Sequence, residues 1–182
     1  MVQITRIYTR SGDKGRSSLG DGTRRKKSDV RFAAIGSVDE ANAVLGVVLT
    51  EIPAADKSFF KRLQNDLFDL GADLAVPHGE ALRISAAQVE YLEQQIDHFN
   101  AVLSPLNSFI LPGGSKISAW LHMARTIIRR SERELVELNE FELVNPNLLR
   151  YINRLSDLMF VLSRHYNEDG KQDVLWKPGE NN

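Results

Sequence analysis

The sequence predicts an all-α protein. It reads as a five-helix up-and-down bundle in a single domain over 1–182, entered through an irregular loop at 1–28 and left through a tail at 169–182. Three observations carry this. Five stretches of roughly 20 residues repeat apolar side chains at three- and four-residue steps. Pro53, Pro77, Pro105, Pro112 and Pro146 fall at the breaks between them. No two segments alternate apolar and polar residues as paired strands would.

The opening loop holds Gly12, Gly15, Gly20 and Gly22 and the basic run Arg24-Arg25-Lys26-Lys27. Only Ile4 to Tyr8 resembles a short strand. The bundle occupies 29–168. A first helix is expected over 29–50, with Phe32, Ile35, Val38, Asn42, Leu45 and Leu49 on one face. The second, over 55–76, carries Phe59, Phe60, Leu63, Leu67, Leu70 and Leu74, and Pro77-His78-Gly79 breaks it. Ser85-Ala86-Ala87-Gln88 reads as a capping box for a third helix running to about 103. Leu106 to Leu111 then forms an exposed loop before Pro112-Gly113-Gly114. A fourth helix opens near Ser115 and reaches about 139. Asn145-Pro146, a cap followed by proline at the first helical position, starts the fifth, which ends near 168. The tail from Asp169 to Asn182 reads as polar and loose.

Composition excludes several functions. Lys and Arg number 23 against 24 Asp and Glu, a net charge of −1. A nucleic-acid binder would show a basic excess. With no cysteine, there is no disulfide, thiolate metal site or cysteine nucleophile. No signal-peptide pattern and no apolar stretch of membrane-spanning length is evident, so a soluble cytoplasmic protein is expected. The Walker string, His-Glu-x-x-His, Glu-x-x-His and Gly-x-Ser-x-Gly are all missing. His78, His98, His122 and His165 read as surface or packing residues, and no metal-ligand set emerges.

Chemistry gathers in three places. On the fourth helix, Ile117, Trp120, Leu121, Ala124, Ile127, Ile128 and Leu135 face the core. His122, Arg125, Arg129, Glu132 and Arg133 share another arc. Arginines four residues apart repel, which leaves two readings open. One is a solvated face neutralised by Glu132 and Glu134. The other is a phosphate clamp built on arginine's planar fork. On the fifth helix, Asn153, Asp157 and Arg164 line up opposite Leu155, Leu158, Met159, Leu162 and Tyr166. They read either as an interhelical network or as an extension of that site. In the loop, Thr9-Arg10-Ser11-Gly12-Asp13-Lys14-Gly15-Arg16-Ser17-Ser18 combines glycines, hydroxyls and bases, which suits phosphate but equally a mobile terminus.

Four blocks together resemble the ATP:cob(I)alamin adenosyltransferases of the propanediol-utilisation type. They are Thr9 to Gly15 with Lys27; Gly36-Ser37-Val38-Asp39-Glu40-Ala41-Asn42; Phe109 to Gly114 with Leu121 to Arg133; and Tyr151 to Asp157. They stand in family order and span roughly half the chain. The resemblance implies a homotrimer with active sites between subunits, and transfer of the 5′-deoxyadenosyl group of ATP to the cobalt(I) of a reduced corrinoid such as cob(I)alamin, releasing triphosphate. It implies that Thr9, Arg10, Ser11, Gly12, Ser17, Ser18 and Lys27 hold the triphosphate from the loop. Arg129, Arg130, Ser131, Glu132, Arg133 and Asn153 would meet it from a neighbour's helices, with Mg²⁺. It makes Asp39 the acidic partner of Arg125 across the boundary, and Phe109 the aromatic beneath the corrin ring. A corrinoid reductase and a cobalamin-dependent acceptor enzyme are implied partners. Arg16, Ser11, Ser17 and Ala41 depart from the usual family residues, and Arg16 adds charge near the phosphates. A non-catalytic ATP- or corrinoid-binding bundle, acting as sensor or delivery protein, is the alternative.

Overall fold

The computed structural model describes residues 7–77 and 83–180. Five helices are present: α1 (Val30–Glu51), α2 (Lys57–Ala75), α3 (Ala86–Asn100), α4 (Lys116–Phe141) and α5 (Pro146–His165). The expected boundaries hold to within a few residues because the caps are local. Asp29 accepts from the Arg31 amide, Ser115 from Ser118 and Asn145 from Asn147. The Ser85–Gln88 capping box is formed. His78 and most of the Ile4 to Tyr8 strand candidate lie outside the described residues.

Side-chain contacts show that each helix reverses its predecessor. Arg31 reaches the Leu74 carbonyl and Asn42 the Gln64 carbonyl, so α1 and α2 are antiparallel. Ser131 meets Ser37 while Lys116 meets Glu51, so α4 opposes α1. Ser115 lies beside Tyr166 while Glu132 lies beside Asn153, so α5 opposes α4. Helices α1, α4 and α5 pack in sequence, flanked by α2 and α3. Phe59 of α2 closes the ring against Tyr91 and Phe99 of α3, at 6.4 and 6.0 Å between centroids. The core is aliphatic, with Leu45, Leu63, Leu67, Leu70, Leu121, Ile128, Leu135, Leu155, Leu158 and Leu162 all sealed from solvent. Tyr151 is also sealed and donates its hydroxyl proton to Asp66 at 3.1 Å, which satisfies the one polar atom it carries inward.

Three expectations need correction. A short antiparallel hairpin, β1 (Arg16–Ser18) with β2 (Arg24–Lys26), interrupts the opening loop, with Arg16 opposite Lys26 and Ser18 opposite Arg24. Three-residue strands are too short to show a hydrophobic period. The tail is not loose: Leu175 bridges Ile110, and the Trp176 amide donates to the Phe109 carbonyl at 2.7 Å. Finally, α1 is long and apolar enough to cross a membrane, with a hydropathy of 1.5 over its best window. Its packing against α2 and α4 is that of a core helix.

Candidate functional site

The hairpin sits at the end of the bundle where α1 starts and α4 ends. Leu19 is buried there, and the Gly20 amide donates to the Ala75 carbonyl at 2.7 Å. Glu142, just past α4, forms ion pairs with both Arg25 of β2 and Arg31 of α1, the latter at 2.9 Å. These two guanidiniums, Arg25's hydrogen bond first, overcome partial burial and hold the Glu142 carboxyl at a pKa of about 2. Arg31 is almost wholly buried and also donates to Leu74. Neither Arg31 nor Glu142 was singled out from the sequence, since nothing in their local spacing pairs residues so far apart.

Above this anchor the predicted loop residues cluster. The Thr9 and Ser11 hydroxyls lie 2.8 Å apart, and Arg24 donates to the Ser11 carbonyl. The Lys27 ammonium stands against Gly12, where a β-carbon would come within 3.0 Å of it. Arg10 has a left-handed backbone, φ 59°, and its guanidinium lies 5.7 Å from the Tyr8 ring centroid. Ser17 and Ser18 ride on β1. Hydroxyls and bases share one polar surface, which suits a polyphosphate. Arg16 does not face outward freely: it donates to the Arg24 carbonyl at 2.8 Å and braces the hairpin.

The α4 run divides by face. Arg130 pairs with Glu40 of α1, and Ser131 is sealed in the α1–α4 seam, donating to the Ser37 carbonyl at 2.7 Å. Ser131 therefore packs within this chain, its hydroxyl already committed to α1. Glu132 accepts from Asn153 at 2.8 Å, and Arg154 carries the network on to Glu93 of α3. Asp157 stands among these charges: desolvation raises its carboxyl's pKa first and Glu132 adds to it, against the pull of Arg154 and Arg129. Arg129 and Arg133 are exposed, and Arg133 donates to the Arg129 carbonyl at 3.0 Å. Arg164, grouped with Asn153 and Asp157 by spacing, is elsewhere: it is buried and paired with Asp173.

At the far end of α4, the loop after α3 and Phe160 of α5 wall a cavity of about 420 Å³. Leu106, Ser108, Phe109 and Ile110 line it from the loop, and His122 and Arg125 from α4. Phe109 is 78% exposed, with its ring centroid 6.2 Å from that of Trp176. Two polar atoms here are buried and unpartnered among the described residues: His122 Nδ1 and Arg125 Nε. Burial lowers the pKa of both side chains, and the neighbouring arginine of each lowers it further. An apolar chamber with two unpartnered polar nitrogens suits a large, mostly apolar ligand carrying a few polar groups.

The loop and this cavity do not meet within one chain. Glu142, the loop's anchor, lies about 25 Å along the helix axis from Arg125, at 1.5 Å per residue. Asp39 stays exposed on α1, lining a second cavity of about 330 Å³ with Phe68 and Gly71 of α2. Among the described residues no cluster of three or more His, Asp or Glu could hold a metal.

Comparison with known proteins agrees with the geometry. A family model described as cobalamin adenosyltransferase matches residues 7–166. The cobalamin adenosyltransferase of Cupriavidus metallidurans is 46% identical over 178 residues, covering 96% of each chain. The corrinoid adenosyltransferase of Mycobacterium tuberculosis is 46% identical, covering 98% of this chain and 96% of the other. Among solved structures, a variant of the PduO-type ATP:corrinoid adenosyltransferase from Lactobacillus reuteri, complexed with cobalamin and ATP, matches with a TM-score of 0.88. It is 37% identical, over 94% of this chain and 99% of that one.

Proposed function

This chain belongs to the cobalamin adenosyltransferase family, and we propose that its active site is built jointly by two protomers of a homotrimer. The protein is an ATP:corrinoid adenosyltransferase. Cobalt(I) of the reduced corrinoid attacks the 5′ carbon of ATP, the bond from that carbon to the triphosphate oxygen breaks, and triphosphate leaves. No protein nucleophile or base is required. The protein aligns the two reactants and stabilises charge on the leaving group.

The observation that carries the reading is the Phe109 cavity with the unpaired Arg125 beside it. A half-buried guanidinium whose Nε is sealed and unpartnered is screened less than an exposed one and favours an acceptor brought to it. Arg125 receives Asp39 of a neighbouring protomer, which supplies the counter-charge missing within the chain. Arg129 and Arg133 meet the triphosphate from one side, and Thr9, Arg10, Ser11, Gly12, Ser17, Ser18 and Lys27 of the neighbour hold it from the other. Glu132 and Asn153, already bonded to each other, hold the nucleotide's polar edge. Phe109 lies under the corrin and keeps water from the cobalt's lower face. Two protomers are invoked because the loop and cavity occupy opposite ends of one bundle. Mg²⁺ arrives on the nucleotide's phosphates, a setting in which it keeps several waters and takes few protein ligands. The proposal places the enzyme in the cytoplasm, with a reductase supplying cobalt(I) and a cobalamin-dependent enzyme accepting the product.

The test is an anaerobic spectral assay with reduced cobalamin, ATP and Mg²⁺. Adenosylcobalamin and triphosphate should form in equal amounts. Binding of both ligands without turnover would indicate a sensor or delivery protein. Site sharing is tested by co-assembly of Lys27→Ala and Arg129→Ala chains. Shared sites regain activity at mixed interfaces, and sites within one chain do not.

A further inference from the structure

We infer that the buried Arg164–Asp173 pair, together with Asn167, is a positioning device that sets where Phe109 stands over the cavity. This rests on reading that cavity as the corrinoid site. The loop from 101 to 115 carries Phe109 but contains no helix or paired strand of its own. Its neighbours come from the C-terminal segment. Leu111 donates its amide to Val174 at 2.8 Å, Trp176 donates its amide to Phe109 at 2.7 Å, and the Ser108 hydroxyl donates to the Trp176 carbonyl at 2.9 Å. Residues 174–176 thus run as an extra strand beside 108–111, with the Trp176 ring close to that of Phe109.

That strand is held by one knot. Arg164 Nε donates to Asp173 at 2.8 Å, and Arg164 Nη2 donates to the Ser104 carbonyl at 2.9 Å. Asn167 donates to the other Asp173 oxygen at 2.9 Å and accepts from the Ser115 amide at 3.0 Å. One guanidinium and one amide therefore grip the tail, the start of the loop and its end together. Both Arg164 and Asp173 side chains are only 6% exposed, so water competes little. Two turns are shaped around the knot. Gly114, φ 95°, passes so close to the Asn167 side chain that any β-carbon would collide with it. Gly170, φ 82°, lies against Arg164 in the same way. Arg164, Asn167 and Asp173 do not line the cavity; the Asp173 charge also bears on His122, which does, so Trp176→Ala, which leaves that charge in place, isolates the path through Phe109.

The test compares Asp173→Asn, Trp176→Ala and Phe109→Ala in the full chain. The first readout is amide hydrogen exchange at Leu111 and Trp176 without ligands, which Asp173→Asn should accelerate. The second is anaerobic kinetics. Asp173→Asn and Trp176→Ala should lower kcat/KM for cob(I)alamin about tenfold, as expected of displaced contacts, while leaving the KM for ATP unchanged. The third is the absorption spectrum of bound cob(II)alamin, which should shift as it does in Phe109→Ala. Equal losses for ATP and corrinoid, or unchanged exchange with normal turnover, would overturn the inference. If Asp173→Asn does not fold, Trp176→Ala still decides, because Trp176 lies outside the buried pair. If Phe109→Ala itself leaves corrinoid kinetics unchanged, the corrinoid reading falls. If it alters them and the other two variants do not, the knot alone falls.

Discussion

Two groups of arginines meet the same electrostatic problem in opposite ways. At the hairpin end, Arg25 and Arg31 converge on Glu142 and their charge is spent inside the chain. Along α4, Arg125 is desolvated with its Nε unpartnered, while Arg129 and Arg133 stand exposed. The first group is architecture, and the second is the one proposed above to meet an anion. A paired buried guanidinium contributes mainly by not being left alone. An unpaired one costs stability in the free protein. Arg130, which follows Arg129 in sequence, pairs at the surface with Glu40, because its helix face turns it toward α1.

The largest expected effect tests the unpaired group. Arg129→Ala should cut kcat by about 10²–10³-fold, the scale of losing one donor to a developing anion. It should leave thermal stability nearly unchanged, and a melting curve beside the kinetic assay checks both. Wild-type activity in this variant would remove the clamp. Next, ATP at 100 times its dissociation constant should raise unfolding stability by about 2.7 kcal/mol, read as a melting-temperature shift. No shift would return the arginine row to a merely solvated face.

Glu142→Gln sharpens the other side of the comparison. Its carboxyl is held at about 2 rather than the ordinary 4.5. Wild-type protein therefore gains stability that is complete above about pH 4.5 and is lost as pH falls toward 2. Allowing for solvent screening of a partly exposed carboxylate, the variant should be less stable by about 1–2 kcal/mol at neutral pH. Denaturant titrations at several pH values should show the difference shrinking through that acid window. The smallest effect is expected from Arg133→Ala. Its guanidinium is exposed and donates to the Arg129 carbonyl, so ATP affinity should fall a few-fold with stability changed by less than about 0.5 kcal/mol.

Much of the bundle was legible in the chain because its signals are local. Ser85 and Gln88, Asn145 and Pro146, and the leucine rows of α2 and α5 each announce an element within a few residues. The arc of His122, Arg125 and Arg129 was also legible, since helix geometry alone places residues three and four apart together. Its fate was not. Spacing grouped Arg164 with Asn153 and Asp157, yet Arg164 turns inward to Asp173 while Asn153 joins Glu132. Ser131 looked like part of a binding run and is buried against Ser37. In both cases the neighbouring element that decides the matter is distant in sequence.

The sequence by itself determined the helices, their order, the absence of thiol chemistry and the family blocks. All of these depend on residue identity or on short-range periodicity. Only the tertiary structure decided which charges are already neutralised, and it also joined the tail to the Phe109 loop and set Arg125 of that cavity about 25 Å from the anchor of the N-terminal hairpin. Pairing and burial depend on which side chains meet across tens or more than a hundred residues, and no local pattern encodes those meetings.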